Sequence, residues 1–281
     1  NMKKISRRSF LAAAGLSVAA LALTACGGSS ASTASSVASS AAASSEAAST
    51  SAAAGELATV EAGKLTMATN ATFPPYEMTT DAGDIEGIDV ETAQAIADKL
   101  GLELQIDDMD FDAALLSVQQ GKADIVMAGV TVTDERKAVM DFSDSYATGI
   151  QSIIVPEGSD IASPDDLAGK KIGTQRGTTG YIYCSDDFGD DAVVAYDNGL
   201  TAVQALNNGQ VDAVVIDNAP AKEYVAANPG LAILDTSYAE EDYAIGMAKG
   251  SSLEAAVNAA LEELKADGTL QAIVDKYITA E

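Results

Sequence analysis

Short apolar runs of strand length alternate, from Leu57 onward, with longer segments in which apolar residues recur at helical spacing. This alternation predicts an α/β fold with a largely parallel sheet. The predicted strands cover residues 65–69, 103–106, 123–128, 150–155, 171–174, 193–196, 212–216, 231–234 and 243–247. The predicted helices cover residues 90–100, 111–120, 134–140, 178–185, 199–207, 220–227, 253–266 and 270–277. A glycine directly follows three of these helices, where a left-handed residue is expected to end them: Gly101, Gly121 and Gly209.

A unit of helix, glycine and buried strand recurs at an offset of 88 residues. The two copies match at Ala114, Leu115, Val118, Gly121, Asp124 and Val126 against Ala202, Val203, Leu206, Gly209, Asp212 and Val214. Such units recur in many α/β proteins, but the same offset also sets Gly129 opposite Asp217, each at a strand's carboxyl end. Because open α/β sheets bind ligands outside those ends, we expect two lobes that face each other across one cleft.

The first 26 residues lie outside this pattern and are typical of an export signal. Basic residues at the start precede an apolar run from Phe10 to Ala25, which is too short to span a bilayer comfortably. The run ends in Leu-Thr-Ala-Cys26, which resembles a bacterial lipobox, whose cysteine is diacylated through its sulfur. We therefore predict a signal peptide over residues 1–25 and lipidation at Cys26, in preference to a buried helix with a chance cysteine. The pair Arg7-Arg8 also resembles a twin-arginine signal, which leaves the export route open.

Residues 26–56 predict a flexible tether. After Cys26 the chain consists almost wholly of Gly, Ser, Ala and Thr, and such a stretch buries too little apolar area to offset its ordering entropy. Together with a lipidated Cys26, it predicts a folded body held near a membrane through the lipid anchor only.

The composition excludes several kinds of function. The 281 residues include 42 acidic and 16 basic residues, no His and no Trp, and carry a net charge of −26. Without imidazole there is no Ser-His or Cys-His nucleophile, no His-bearing zinc site and no histidine general base. The negative charge repels phosphates, so nucleic acid is not an expected partner. Cys184 has no second thiol once Cys26 is lipidated, and we interpret it as a small buried hydrophobe.

Seven short segments of the folded part match one protein family in order and spacing. They read ATNATFPPYE at 68–77, GIDV at 87–90, MDFD at 109–112, AGVTVTDER at 128–136, DFS at 141–143, GTTG at 177–180 and VVID at 214–217. Residues 64–281 thereby resemble the polar amino-acid-binding proteins of bacterial ABC importers, solute-binding family 3, which have the type II periplasmic-binding-protein fold. The resemblance implies an extracytoplasmic monomer that captures a polar L-amino acid and delivers it to an ABC permease, without enzymatic activity, cofactor or metal.

The resemblance also implies two lobes joined by a two-stranded hinge. The first lobe is expected to combine residues 57–150 with residues 241–281, and the second to cover residues 151–240. The chain then crosses between them near residues 146–150 and 241–245.

In the family, the segment that matches residues 131–136 holds the ligand α-carboxylate, and the resemblance carries this role to Arg136. A planar guanidinium matches a carboxylate with two parallel hydrogen bonds, whereas a solvated arginine in a first helical turn is the ordinary alternative. Gly129 and Thr131 are expected to add a backbone and a hydroxyl donor, and Thr179 a main-chain donor from the second lobe. Residues 177–180 lack the Lys-Ser or Lys-Thr of a phosphate-binding P-loop, although an ordinary turn explains their spacing equally well.

The remaining family roles concern the rest of the ligand. Asp217 matches the acceptor for the α-ammonium group, with helix capping as its alternative role. Phe73 and Phe111 match an aromatic pair that stacks on the ligand side chain. Family members that favour cationic amino acids often have an acidic residue in place of Asn70, which disfavours a strict lysine or arginine carrier. Arg176 replaces a usually uncharged residue and is a candidate contact for an acidic ligand side chain, so neutral polar ligands such as glutamine, serine or cystine also stay open.

Two other classes of function fit the same features. An enzyme of this fold, such as a cyclohexadienyl dehydratase or a lytic transglycosylase, needs a carboxyl group as a general acid, for which Glu77 and Asp110 are the nearest candidates. A tethered sensory module is compatible with the predicted anchor.

Overall fold

The computed structural model describes residues 57–278, so the predicted signal peptide, the predicted lipidation site Cys26 and the whole predicted tether lie outside the described residues. Within that range, none of the helices is both long enough and apolar enough to cross a membrane. All eight predicted helices are found, with ends shifted by at most three residues. They are α1 Ile88–Leu100, α2 Phe111–Gln119, α3 Asp134–Val139, α4 Thr179–Phe188, α5 Gly199–Asn207, α6 Asn218–Ala227, α7 Glu254–Ala266 and α8 Thr269–Tyr277.

The strands of the described part form two main sheets and one small sheet. In chain order they are β1 Lys64–Thr69, β2 Thr72–Phe73, β3 Glu77–Thr79, β4 Ile85–Glu86, β5 Glu103–Asp108, β6 Ile125–Val126, β7 Met140–Phe142, β8 Ala147–Pro156, β9 Ile172–Gln175, β10 Val193–Tyr196, β11 Ala213–Asp217, β12 Leu231–Ile233, β13 Ala239–Tyr243 and β14 Gly246–Ala248. The small sheet β2-β3-β4 and strand β7 were not predicted, because two or three residues are too few to set up a periodic pattern.

Both main sheets are mixed, which corrects the expectation of a largely parallel sheet. The first has the order β5-β1-β6-β14-β7, in which β1 is parallel to β5 and β6 while β14 is antiparallel to both its neighbours. The second has the order β10-β9-β11-β8-β12, and β8 is antiparallel to β11, to β12 and to β13. Hydrophobic patterning reports burial but carries no information on strand direction.

The antiparallel strands are those that connect the two sheets. Strand β8 follows β7 of the first sheet and enters the second, and β13 of the second sheet is followed by β14 of the first. The two connecting strands pair with each other, from Ala147 opposite Tyr243 to Gln151 opposite Ala239. The single strand predicted at 243–247 is therefore divided, because its two ends belong to different sheets.

The repeat at an offset of 88 residues is a structural repeat. Gly121 and Gly209 both have φ of 67° and end their helices. The carboxylate of Asp124 accepts a hydrogen bond from the Thr66 amide at 2.7 Å, and that of Asp212 accepts one from the Lys171 amide at the same distance. In each copy the strand after the aspartate pairs in parallel with the strand at or next to the bonded amide. These pairs are β6 with β1 and β11 with β9.

Helices cover both faces of the first sheet. Helices α1, α7 and α8 pack together on one face, in the cluster that contains Leu65, Ile96 and Leu261. Helix α2 packs on the other face, in a cluster around Ala114 and Val118. In the second sheet Cys184 of α4 is fully buried beside strands β9 and β11, as its interpretation as a small hydrophobe requires.

The two repeated aspartates predict unequal losses of stability. Asp124 is buried and also accepts a hydrogen bond from the Val60 amide at 2.7 Å, whereas Asp212 is exposed. Replacement of Asp124 with Ala leaves the buried Thr66 amide without a partner and should lower the free energy of unfolding by about 2–3 kcal/mol. Asp212→Ala should cost less than about 1 kcal/mol, because water can replace its carboxylate. Urea unfolding monitored by circular dichroism measures both, and equal losses would contradict this account.

Candidate functional site

A narrow cavity lies where strand ends and helix starts from the two main sheets meet. Its lining consists of Asn70, Phe73, Glu77, Phe111, Ala128, Gly129, Thr131, Arg136, Gln175, Thr178, Thr179 and Asp217. Eight of the nine predicted ligand-binding residues are thus brought together: Asn70, Phe73, Phe111, Gly129, Thr131, Arg136, Thr179 and Asp217. The cavity lies outside the carboxyl ends of the strands, as the repeat led us to expect.

Arg176 is the predicted residue that does not line this cavity. Its side chain is 53% exposed and its guanidinium lies 3.6 Å from the carboxylate of Asp197. The same guanidinium lies 3.5 Å from the carbonyl oxygen of Ala195. Arg176 therefore faces solvent and the β10 side of the second sheet, and a contact with a ligand side chain is not available to it in this arrangement.

Arg136 places a positive charge deep in the cavity. It follows the N-cap of α3, where the Thr133 hydroxyl accepts a hydrogen bond from the Arg136 amide at 3.2 Å. The residue is only 8% exposed, and burial lowers the pKa of its guanidinium while the nearby Glu241 raises it. Its Nη1 donates to the Thr131 carbonyl at 2.7 Å and its Nη2 donates to the Gly177 carbonyl at 3.1 Å. These acceptors are neutral, and a guanidinium has five N–H donors, so both charge and donors remain for an anion.

Polar groups from both sheets surround that cation. The hydroxyl oxygens of Thr131 and Thr179 lie 3.4 Å apart, and both residues are buried. Thr179 is the first residue of α4, where free amides and the helix dipole favour an anion. The Thr131 hydroxyl donates to Glu241 Oε2 at 3.0 Å, so it already has an acceptor.

Gly129 does not have the predicted role of backbone donor. Its amide donates to Asp89 Oδ2 at 2.9 Å, so this group is already occupied. The glycine is needed for another reason. Its φ is 56°, and a Cβ there would lie 2.7 Å from the ring of Phe73. Gly129 therefore lets the backbone approach this aromatic ring closely.

Asp217 supplies a negative charge from the second sheet. It ends β11 and occupies the N-cap position of α6, but its side chain makes no capping hydrogen bond. Instead it accepts a hydrogen bond from the Tyr243 hydroxyl. Burial, with a contribution from the charge of Glu241, raises the pKa of Asp217 to about 7. A cation in the cavity would lower that pKa and hold the carboxyl ionised.

The lobes also touch across the cavity through neutral side chains, in addition to the bond from Arg136 to the Gly177 carbonyl. Gln175 Nε2 donates to Asn70 Oδ1 at 2.9 Å, and Asn70 Nδ2 donates to the Met109 carbonyl at 2.8 Å. At the rim, the Tyr224 hydroxyl donates to the Thr72 carbonyl at 2.5 Å. The described arrangement is therefore closed.

Aromatic rings form one wall of the site. The guanidinium of Arg136 lies 5.4 Å from the ring centroid of Phe111, within the range of a cation–π contact. Phe73 stacks on Tyr76 with ring centroids 5.8 Å apart, and Tyr76 meets Tyr243 edge to face at 5.3 Å. Tyr76 is buried and does not line the cavity, so it belongs to the core behind this wall.

Four members of the lining were not predicted, namely Glu77, Ala128, Gln175 and Thr178. Asp89, Glu241 and Tyr243, which hold the lining in place, were also missed. Glu77 was considered only as a candidate general acid, as was Asp110, which is exposed at the start of α2. Both Glu77 and Asp89 belong to segments that match the family, ATNATFPPYE and GIDV, which was the available signal.

Two mixed α/β sheets joined by a pair of antiparallel strands, with a polar cavity at their facing strand ends, define a two-lobed solute-binding fold. The chain belongs to the bacterial extracellular solute-binding proteins, family 3, whose family model matches residues 65–280. This membership confirms the expected type II periplasmic-binding-protein fold.

Several relatives are similar over most of their length. The L-cystine-binding protein TcyJ of Escherichia coli strain K12 is 34% identical over 226 residues, which cover 79% of this chain and 85% of the relative. The arginine-binding extracellular protein ArtP of Bacillus subtilis strain 168 is 33% identical, covering 78% of this chain and 87% of the relative. The structure of an ancestral arginine-binding protein bound to glutamine is 42% identical with a TM-score of 0.75, covering 78% of this chain and all of that one. The names of these proteins include different amino acids, so similarity alone does not fix a ligand.

The raised pKa of Asp217 predicts a pH-dependent stability. The pKa of this carboxyl group is about 7 in the folded protein, against an ordinary value of 3.8 that applies to the unfolded chain. The group therefore binds its proton more tightly in the folded protein. The free energy of unfolding of the ligand-free protein should therefore fall as pH rises from about 4 through about 7. In Asp217→Asn this fall should be shallower by about 3 kcal/mol. Urea unfolding across that pH range measures it, with the exposed Asp110→Asn as control, and parallel profiles for Asp217→Asn and wild type would contradict the assignment.

Proposed function

We propose that this protein is an extracytoplasmic substrate-binding protein that captures a polar L-amino acid and delivers it to an ABC permease. One observation carries the proposal, namely that a buried cation from one sheet and a buried anion from the other line the same cavity. Arg136 follows β6 of the first sheet, and Asp217 ends β11 of the second. An amino-acid zwitterion carries the complementary pair of charges on adjacent groups.

The proposed site for the α-carboxylate is the end of the cavity around Arg136. The guanidinium has donors beyond the two that bind carbonyl oxygens, and charge-assisted bonds from such a fork are among the strongest in proteins. The Thr179 hydroxyl and the N-terminal amides of α4 complete this anion site, whereas the Thr131 hydroxyl is held by Glu241.

The proposed acceptor for the α-ammonium group is Asp217. Its hydrogen bond from Tyr243 leaves further lone pairs, because a carboxylate has about four acceptor positions. The ligand side chain would then extend between Phe73 and Phe111, with Asn70 available for polar contacts.

Binding would proceed by opening and closing of two lobes. We propose that residues 57–150 with 241–281 form one lobe and residues 151–240 the other, with β8 and β13 as the hinge. A micromolar affinity corresponds to about −8 kcal/mol, which two charge-assisted contacts and one desolvated side chain can supply. A buried charge without its counter-charge is costly. The α-carboxylate must therefore meet Arg136 and the α-ammonium group must meet Asp217 in the same closed state.

We propose binding without a chemical step. The relatives are named as binding proteins, and the exposed Asp110 is not placed to assist Glu77 as a second catalytic carboxyl. The proposal includes export by a signal peptide over residues 1–25, a lipid anchor at Cys26 with a tether to residue 56, and function as a monomer.

Arg136→Ala tests this proposal. Loss of the guanidinium would leave the ligand α-carboxylate buried without a counter-charge, so affinity for every amino acid that the wild type binds should fall by at least about 100-fold. A thermal-shift screen of the twenty L-amino acids, cystine and ornithine identifies the ligands, and calorimetry measures the loss.

Arg176→Ala is the matched control, because the same residue type is removed next to the cavity but outside its lining. This variant should keep wild-type affinity, and both variants should keep a native circular dichroism spectrum. Unchanged affinity in Arg136→Ala would remove Arg136 from the site.

A further inference from the structure

Glu77 is a buried carboxyl group in the cavity whose charge has no counterpart. It begins β3, is 0% exposed and belongs to the cavity lining. No amide, hydroxyl or cationic group among the described residues donates to its side-chain oxygens, and its hydrogen bond is with the carboxyl group of Asp89. A buried carboxylate without a donor or a cation is strongly unfavourable, so this group must either keep a proton or meet a cation.

The charges of the lining show what that cation would be. Three ionisable side chains line the cavity: Arg136, Asp217 and Glu77. A zwitterion bound as proposed above satisfies Arg136 with its carboxylate and Asp217 with its ammonium group. Glu77 is left over, and one positive charge on the ligand side chain would balance it.

The order of these groups fits such a ligand. Asp217 is a strong charged neighbour of Arg136 and also of Glu77, where its charge raises the pKa of both. The other strong charged neighbours differ, since Glu241 acts on Arg136 whereas Asp89 and Asp108 act on Glu77. Asp217 thus acts electrostatically on both of the other groups, which is compatible with the central position of the α-ammonium group in an amino acid.

The surroundings of Glu77 are acidic on every side. Asp89 of α1 is fully buried, and its oxygens accept from the Gly129 amide at 2.9 Å and the Tyr146 hydroxyl at 2.7 Å. Burial raises the pKa of Asp89 to about 6 and raises that of Glu77 well above its usual value, and the hydrogen bond between the two carboxyl groups favours a proton on Glu77. The ionisable groups that face Glu77 from the packed elements are Asp89, Asp108, Asp217, Tyr76, Tyr146 and Tyr224. All of them are acids, so no protein cation competes for this position among these neighbours.

We infer, on the basis of the proposed amino-acid site, that Glu77 binds the cationic side-chain end of a basic amino acid and releases its proton to solvent as the ligand enters. Two carboxylate oxygens that receive no N–H donor from the described residues suit a planar guanidinium, which can donate to both at once. The sequence has Asn70 where carriers of cationic amino acids often have an acidic residue, which disfavoured such a ligand. The inference revises that expectation, because Glu77 supplies the acidic group instead. A neutral side chain would leave Glu77 protonated and would release no proton there.

L-Arginine and L-citrulline test the inference, because they have nearly the same shape and only arginine carries a side-chain charge. Calorimetry on the wild type at pH 8 should give at least about tenfold tighter binding of arginine, and that preference should shrink toward pH 5.5 as the carboxyl pair takes up protons. Titrations in buffers of different ionisation enthalpy should show more proton release with arginine than with citrulline.

Glu77→Gln should remove the preference. Arginine affinity should fall by about 30-fold or more, because a buried cation loses its counter-charge, while citrulline binding is retained and reports that the variant is folded. The additional proton release with arginine should disappear. Glu86→Gln is the matched control, since Glu86 is exposed in the same small sheet, and it should leave both affinities unchanged.

The outcomes separate the two proposals. Equal wild-type affinities for arginine and citrulline, or arginine binding that is unchanged in Glu77→Gln, would overturn the role of Glu77 and leave the amino-acid site intact. Absence of binding by any amino acid would instead overturn the proposed function. If Glu77→Gln does not fold, the wild-type comparison of the two ligands and of their proton release decides the matter alone.

Discussion

The burial of opposite charges on two separate sheets is the constraint on which this structure depends. The hydrogen-bond acceptors of Arg136 are neutral carbonyl oxygens, and a neutral tyrosine hydroxyl donates to Asp217, so these hydrogen bonds neutralise neither charge. Burial acts on both in the unfavourable direction, lowering the pKa of the cation and raising that of the anion. A molecule with both charges on neighbouring atoms relieves the two costs in one step, and it does so only when the sheets face each other.

The hinge is physically connected to this pair of charges. Strand β13 carries Glu241, which accepts from Thr131, and Tyr243, which donates to Asp217. Strand β8 carries Gln151, whose amide donates to the same Glu241 oxygen at 3.0 Å. The segment with Thr131 also pairs directly with Tyr243. Rotation about these strands therefore changes contacts of the site itself, so ligand occupancy and lobe orientation bias each other as linked equilibria must.

The sequence predicts features that depend on neighbouring residues, and it does not predict features that depend on how distant segments meet. Helical periodicity and glycine stops are local, and the helices were found where they were expected. Arg136 and Asp217 required the resemblance, because nothing in their immediate sequence distinguishes them from an exposed arginine and a helix cap. The direction of β8 and the occupied amide of Gly129 depend on how distant segments meet, so no pattern along the chain predicted them. Arg176 and Arg136 differ in exposure for the same reason.

The surplus of acid in the cavity links stability to selection. Glu77, Asp89 and Asp217 are each buried, and for each of them burial raises the pKa, so an unoccupied site loses folding free energy as the pH rises. A basic ligand reverses this trend because its charge is present where the protein has none to offer. The chain as a whole carries a charge of −26, which attracts cations from a distance and repels anions. The long-range field and the local deficit of positive charge therefore favour the same class of ligand, and an acidic amino acid is opposed by both.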